Sequence, residues 1–227
     1  MYVTLSSEFS PATKLPDSHP FGCAGAAPSQ CKRQAVGTHL FREGDIANNI
    51  YEITSGVFRL TRVLGNGRRQ VIAFGLPGDI IGFPNGISHH SDCEAIQSAE
   101  VVAHRRTALD PLEGDDAAHQ RLLHAALREI SAMQDHFMML ARKSATEKVA
   151  SFLINLAERV GTPIGTYTAC SLPMSRADIA DFLGLRIETV SRTFTRLRKE
   201  DIIALDTSQI VLVKNMGALV SASEASS

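Results

Sequence analysis

The chain has 227 residues, of which 44% are hydrophobic, so it can build one large core or two smaller ones. Its formal net charge of −1 excludes a protein that coats nucleic acid without specificity, and any positive patch must therefore be local. No apolar run approaches the length of a membrane span, and the N-terminus lacks the basic start and apolar core of a signal peptide. The scattered cysteines do not suggest a disulfide-stapled secreted domain. These features predict a cytoplasmic protein with no membrane partner.

The N-terminal half divides into an arm and a strand-rich domain. Residues 1–30 are rich in Ser, Pro, Ala and Gly, which predicts a flexible arm. Residues 31–115 alternate short apolar runs with turn signals, and their regular spacing predicts a small β-barrel or jelly roll. Gly65-Asn66-Gly67 marks the tip of one hairpin. The strands are expected at residues 50–53, 57–63, 71–74, 80–83 and 101–103.

A long helix is predicted for residues 116–143. Its apolar residues follow the four-three spacing of a heptad seam, which is typical of a coiled-coil dimer. A stripe that faces the core of the same chain would have the same pattern, so two interpretations are open for this helix. The seam residues are Ala126, Ile130, Met133, Phe137 and Leu140.

Residues 144–221 are predicted to form a winged helix-turn-helix domain. A helix at residues 147–160 precedes two shorter helices that meet at a turn, and strands at 202–205 and 210–213 form a wing. Small Ala180, tight-turn Gly184 and β-branched Val190 are spaced so that the two shorter helices can cross closely. Ser175 is a candidate N-cap, with Asp178 completing a near capping box.

The second of these helices carries side chains that suit DNA. An amphipathic hairpin with a solvated charged face is the alternative, but five basic residues and one acidic residue on this helix favour DNA binding in a nearly neutral chain. Because a helix-turn-helix protein reads a two-fold site as a dimer, DNA binding also favours the coiled-coil interpretation. The predicted base contacts are Ile187, Glu188, Ser191 and Arg192, and the predicted phosphate contacts are Arg186, Thr195, Arg196, Arg198 and Lys199.

Three sequence segments resemble the cyclic-AMP receptor/FNR (CRP/FNR) superfamily of bacterial transcription regulators. FREGDIANNIYEITSGVFRL (residues 41–60) and FGLPGDIIGF (residues 74–83) resemble its barrel patterns, and LGLRIETVSRTFTRL (residues 183–197) is similar to its recognition helix. The resemblance implies an α+β chain: a jelly-roll barrel of the cyclic-nucleotide-binding type, a dimerisation helix and a C-terminal winged helix-turn-helix. Glu188, Ser191 and Arg192 resemble the FNR/FixK branch in particular.

The resemblance also implies partners. A homodimer would bind double-stranded DNA at an inverted repeat of TTGA-type half-sites, most simply as a transcription activator. RNA polymerase would contact the hairpin at Gly67, Arg68 and Arg69. We expect both arginines to be exposed at the tip, far from the recognition helix, although a well-made hairpin without a partner would have the same glycines.

The sensor that such regulators carry is not visible in this sequence. Residues 83–98 contain no arginine, whereas a buried cyclic phosphate needs a cation, so cyclic nucleotide is not expected. The FNR branch holds an iron–sulfur cluster on four cysteines, but here Val102 stands where the barrel cysteine would be. We therefore expect no metal and no cofactor, and a FixK-type relay controlled by its own synthesis. The alternative is an oxygen or redox sensor with a cluster on Cys23, Cys31 and Cys93 and a histidine, since His89 and His90 are close to Cys93 in the chain.

An enzyme of the cupin type is a remote alternative. His89, His90 and Glu94 offer metal ligands, but cupin sites draw ligands from several strands and only one cluster is visible. No nucleophile elbow, P-loop or HExxH motif is present. We expect a protein that is not an enzyme, with His89, His90 and Cys93 in a polar surface loop.

Overall fold

The N-terminal domain is a jelly roll, as the sequence predicts. A computed structural model describes residues 31–84, 86–109, 116–207 and 209–224. Two antiparallel four-stranded sheets, in the orders β1-β8-β3-β6 and β2-β7-β4-β5, face each other around an apolar interior. The strands are β1 (Cys31–Gln34), β2 (His39–Phe41), β3 (Asn49–Ser55), β4 (Phe58–Val63), β5 (Arg69–Gly75), β6 (Ile80–Ile81), β7 (Asp92–Ala95) and β8 (Ala99–Arg105).

Five of these strands fall on the predicted apolar runs, and three do not. The missed strands β1, β2 and β7 are three or four residues long and all contain polar residues, so none of them has a long apolar run. β6 is shorter than predicted because Gly82 turns into the left-handed region at φ +86°. A Cβ there would lie 3.1 Å from the Phe41 ring and 3.2 Å from the His89 ring, so the close approach also requires glycine.

One long helix connects the barrel to the C-terminal domain, which begins with a second helix. A 3₁₀ turn (Arg106–Leu109) precedes the long helix α1 (Asp116–Arg142). The following helix, α2 (Ala145–Val160), starts with a capping box in which Ser144 and Glu147 satisfy each other's backbone amides. Both helices agree with the sequence prediction to within two residues at each end.

The C-terminal domain contains more structure than the sequence predicted. The predicted wing strands β11 (Ile203–Thr207) and β12 (Ile210–Val213) are present, but they belong to a four-stranded sheet in the order β11-β12-β10-β9. The description of a two-stranded wing was therefore incomplete. The remaining elements are β9 (Thr162–Ile164), β10 (Tyr167–Ser171), α3 (Arg176–Leu183), α4 (Ile187–Lys199) and α5 (Met216–Glu224).

The barrel has an apolar interior of its own, and two further barrel residues belong to the core of the C-terminal domain. Val57 and Leu76 of the barrel are buried in the same cluster as the interior of α2, α3 and α4. An aromatic group crosses the boundary: Phe74 of β5 contacts Phe152 of α2 and Phe182 of α3, with ring centroids 6.2 and 5.2 Å apart. The helix-turn-helix is therefore packed against the barrel.

Candidate nucleic-acid interface

The helix-turn-helix is built by two local motifs that the sequence encodes. Ser175 caps α3, and its side chain and that of Asp178 satisfy each other's backbone amides. Gly184 ends α3 in the left-handed conformation at φ 62°, ψ 38°. The Gly184 amide bonds to the Asp181 carbonyl and the Leu185 amide to the Ala180 carbonyl, which is the Schellman pattern. The three predicted scaffold residues Ala180, Gly184 and Val190 thus lie where the two helices meet, with Ala180 and Val190 buried.

Helix α4 has one buried face and one exposed face. Val190, Thr193, Phe194 and Leu197 are buried against the domain, and the Arg176 guanidinium lies 3.7 Å from the centroid of the Phe194 ring. All four predicted base-contacting residues are exposed, and 43% of Ile187 remains accessible. Because residues four apart lie on one helix face, Glu188 and Arg192 stand together on the exposed side. The side chains that the base-contact prediction names are Ile187, Glu188, Ser191 and Arg192.

The predicted phosphate contacts differ in how they are held. Arg186, Arg198 and Lys199 are exposed. Arg196 donates a hydrogen bond to Thr146 Oγ1 and lies 3.8 Å from a Glu200 carboxylate oxygen, yet its side chain is still 53% exposed. The Thr195 hydroxyl donates to the Ser191 carbonyl at 2.9 Å, so it must rotate before it can donate to a phosphate. Thr195 and Arg196 are both exposed, and each makes a hydrogen bond within the domain that the sequence does not indicate.

The long helix α1 carries an exposed apolar stripe. Ile130, Met133 and Phe137 of the predicted seam are 53%, 62% and 68% exposed. Ala126 and Leu140 are only partly exposed, and a Cβ at position 184 would lie 3.6 Å from Leu140 Cδ2, so Leu140 faces the helix-turn-helix of its own chain. The stripe also includes three residues that the prediction left out, although their spacing could have revealed them: Leu123, Leu127 and Met138.

The β4–β5 hairpin forms the predicted tip, but its two arginines differ. Gly67 turns at φ +78° and Arg68 is exposed. Arg69 donates to Asp178 Oδ1 of α3 at 3.0 Å. Arg69 is exposed, as expected, but it is not free at the tip, because β5 runs directly past α3 and brings Arg69 to Asp178.

The histidine-cysteine segment is not the polar surface loop that was expected. His89 is 4% exposed and stacks on Phe41 with ring centroids 3.8 Å apart, whereas His90 is exposed. Burial lowers the pKa of His89. Glu94 is held in an ion pair with Arg59. His89, His90 and Glu94, the candidate metal ligands of the cupin alternative, are thus buried, exposed and ion-paired respectively.

Two of the three candidate cluster cysteines, Cys31 and Cys93, lie in different sheets of the barrel. Cys93 lies in β7, is fully buried, and burial raises the pKa of its thiol far above the usual range, which disfavours the thiolate that a cluster needs. Cys31 lies in the other sheet, opposite Val102, and Cys23 is outside the described residues. Throughout the described ranges, no three His, Cys, Asp or Glu side chains come together in a group that could hold a metal ion.

Comparison with known proteins decides the family. Residues 32–112 match the cyclic nucleotide-binding domain family and residues 147–222 match the Crp-like helix-turn-helix domain family. A nitrogen fixation regulation protein FixK of Azorhizobium caulinodans is 41% identical over 187 residues, covering 82% of this chain and 75% of that protein. The chain belongs to the CRP/FNR family. Within it, the similarity to FixK proteins makes the chain a DNA-binding transcription regulator of the FNR/FixK type.

Two further CRP/FNR proteins support this assignment. The transcriptional activatory protein AadR of Rhodopseudomonas palustris is 40% identical over 186 residues, covering 81% of this chain and 78% of that protein. The structure of FixK2 from Bradyrhizobium japonicum aligns with a TM-score of 0.77 at 32% identity, covering 87% of this chain and 98% of that chain. Among the helices of the described residues, none is long and apolar enough to span a membrane.

Proposed function

We propose that this regulator binds an inverted-repeat operator as a homodimer in the cytoplasm and activates transcription by contacting RNA polymerase. The observation that carries the proposal is the exposed face of α4, where Glu188 and Arg192 stand one turn apart above a buried apolar face. A helix with this composition fits the major groove, whose base edges present a distinct donor and acceptor pattern for each base pair. Its relatives are named as regulators, and we propose a binding protein rather than an enzyme.

The base contacts follow from the chemistry of the exposed side chains. Arg192 presents a planar donor pair that matches guanine O6 and N7, and Glu188 accepts from a cytosine N4 amine. Ser191 can donate or accept, and Ile187 offers an apolar surface to a thymine methyl group. We propose that these four side chains read a TTGA-type half-site.

The phosphate contacts position the helix in the groove. Arg198 and Lys199 lie in the last turn of α4 and Arg186 precedes the first. Arg196 is held by Thr146 of α2 but stays half exposed, so we keep it in this set, together with Thr195 after rotation of its hydroxyl. These contacts supply affinity without sequence preference.

Dimerisation is supported by the apolar stripe of α1. Six apolar side chains of one helix are between 46% and 68% exposed, which is unfavourable in a monomer and is relieved when two copies of the helix pack together. Two recognition helices related by a two-fold axis would match an inverted repeat. We propose that a second copy of this chain covers the stripe.

Arg68 is the candidate polymerase contact. It is exposed at the β4–β5 tip beside Gly67 and could pair with an acidic group on the sigma subunit. Arg69 contributes less to this contact, because it is engaged by Asp178.

We propose that the cellular level of this protein, rather than a bound cyclic nucleotide or cluster, controls its activity. Residues 83–98 offer no arginine to a cyclic phosphate, and the Cys93 thiol is buried in the barrel interior. Iron content and colour of protein purified without air would test this proposal. Stoichiometric iron would favour the sensor alternative.

Selection of bound duplexes from a random-sequence pool tests the proposed DNA target. We expect an inverted repeat of TTGA-type half-sites to be enriched and each half-site to be protected in a footprint. Enrichment of single half-sites, or of no motif, would contradict the proposal.

A further inference from the structure

The carboxylate of Asp178 is shared by the two domains. Its Oδ2 accepts from Ser175 Oγ at 2.7 Å and closes the cap of α3. Its Oδ1 accepts from two barrel side chains, Arg59 Nη1 at 2.7 Å and Arg69 Nη2 at 3.0 Å. Burial alone would raise the pKa of Asp178, but the Ser175 hydrogen bonds and the Arg59 charge outweigh it and lower the pKa. The group is therefore an anion on which the barrel and the first helix of the helix-turn-helix converge.

Arg59 is built into the barrel at a fixed point. It lies on β4 and its side chain is only 12% exposed. Its Nη2 donates to Glu94, which lies directly opposite on β7. Because one end of the guanidinium is held by the barrel sheet, the other end holds Asp178 at a defined place.

Other contacts extend this connection along α3. Gln70 Nε2 of β5 donates to the Asp181 carbonyl at 2.6 Å, one turn beyond Asp178. Two neighbouring barrel strands thus hold the first helix near both of its ends. Helix α3 then passes through the three-residue turn at residues 184–186 into α4, so the orientation of the recognition helix follows that of α3.

We propose that Arg59 is a positioning residue for operator binding, which orients the recognition helix through its ion pair with Asp178. Desolvation cancels much of the Coulomb energy of a buried ion pair, so its main consequence here is a fixed geometry. A helix-turn-helix that is oriented before DNA arrives loses less orientational freedom when both half-sites are engaged. The barrel therefore contributes to operator affinity without touching DNA.

A double-mutant cycle on the full-length protein tests this role. The variants are Arg59→Met, Asp178→Asn and the combination of both. The control is Arg33→Met, which removes the same charge from a barrel arginine that is 87% exposed and pairs with Glu100 on the barrel surface. The probes are the duplex that the wild-type protein selects from a random pool and a scrambled duplex. Dissociation constants are expressed per active dimer, with the active fraction measured by stoichiometric titration, so that a loss of folded protein does not alter them.

We expect Arg59→Met to weaken operator binding about tenfold, in the usual range of coupling between sites, without changing the affinity for scrambled DNA or its salt dependence. When Arg59 is already replaced, Asp178→Asn should weaken operator binding by less than about twofold more, because the two side chains act through one contact. Unchanged or tighter operator binding per active dimer by Arg59→Met, or additive effects of the two substitutions, would overturn the proposal.

Arg69→Gln provides a second test if Arg59→Met does not fold. Arg69 is 46% exposed, and its removal leaves Arg59 in place, so the fold should tolerate the change. Because a half-exposed ion pair contributes little energy, Arg69→Gln should weaken operator binding roughly two- to fivefold and leave binding to scrambled DNA unchanged. Equal operator affinity would overturn the proposal. The proposal rests on operator binding by a dimer, and failure of that function would show separately, as a wild-type protein that selects no inverted repeat.

Discussion

The imidazole of His136 in α1 stacks on the ring of Phe182 in α3, with centroids 4.2 Å apart and planes 19° apart. Burial lowers the pKa of His136, and this effect exceeds the opposite effect of a hydrogen bond with the Phe182 backbone. A neutral histidine thus joins the helix that carries the apolar stripe to the first helix of the helix-turn-helix. Its protonation would place a charge in this contact.

Acidification should therefore destabilise the protein through His136. Its pKa is lower in the folded state than in the unfolded chain, so the folded state binds fewer protons and stability is lost as the pH falls below about 6.5. Protonation of one histidine changes the free energy of unfolding by at most about 1.4 kcal/mol per pH unit. Urea unfolding of wild type and His136→Phe between pH 7 and 5.5 measures this dependence. The free energy of unfolding should change less with pH in the variant. If the free energy of unfolding of the variant depends on pH as strongly as that of wild type, this assignment is wrong.

The last turn of α4 should supply affinity without selectivity. Arg198→Ala and Lys199→Ala each remove a phosphate contact from both subunits, so they should weaken operator and scrambled duplex alike. The slope of log affinity against log salt should decrease by about one unit per contact per subunit. Fluorescence anisotropy at several salt concentrations measures both effects. A change of base preference in the Arg198 variant would assign this residue to base readout instead.

A charge in the apolar stripe of α1 should separate the dimer. Ile130→Glu or Phe137→Glu would bury an unpaired carboxylate in the interface, at a cost of about 3–5 kcal/mol. The structure extends the prediction to Leu127→Glu, since Leu127 is 52% exposed on the same helix. Sedimentation should show monomers, and operator binding should be lost because one half-site supplies only part of the contact energy. Gln120→Glu adds the same charge at an exposed polar position and should stay dimeric. An intact Phe137→Glu dimer would place the interface elsewhere.

The hairpin tip should affect transcription and leave DNA binding unchanged. Arg68→Glu reverses an exposed charge at the tip, so activated transcription with purified RNA polymerase should fall while operator affinity is retained. Arg69 must stay intact in this experiment, because it binds Asp178 and its loss would disturb the helix-turn-helix. Arg42→Glu, at another exposed barrel arginine, is the matched control. Full transcription by the Arg68 variant would remove the tip from the mechanism.

Local signals in the sequence were sufficient for the helix-turn-helix and insufficient for the contacts between domains. Ser175, Asp178 and Gly184 act within their own helix ends, so spacing alone predicted the capping box of Ser175 and Asp178 and the turn at Gly184. Arg59 and Asp178 are 119 residues apart in the chain, and no local pattern indicates that they meet. Arg69 was interpreted as a free tip residue for the same reason.

The same distinction applies to the strands and to the barrel interior. Strands with a continuous apolar run were predicted, whereas β7 alternates polar and buried residues over four positions and depends on its neighbours β2 and β4. His89 resembles a surface residue by type, but the Phe41 ring and Gly82 enclose it. Burial of a polar side chain by distant residues leaves no local sequence signal.

The most direct test of base readout by α4 changes Arg192 in the protein and its proposed guanine partner in both half-sites of the DNA. Wild type and Arg192→Ala are titrated with the selected operator and with a derivative in which the guanine of each half-site is replaced. We predict that Arg192→Ala loses about 1–3 kcal/mol on the operator and no longer distinguishes it from the derivative, because the bidentate pair with guanine is gone. If Arg192→Ala bound the operator as tightly as wild type and still distinguished it from the derivative, the proposed orientation of α4 on DNA would be wrong.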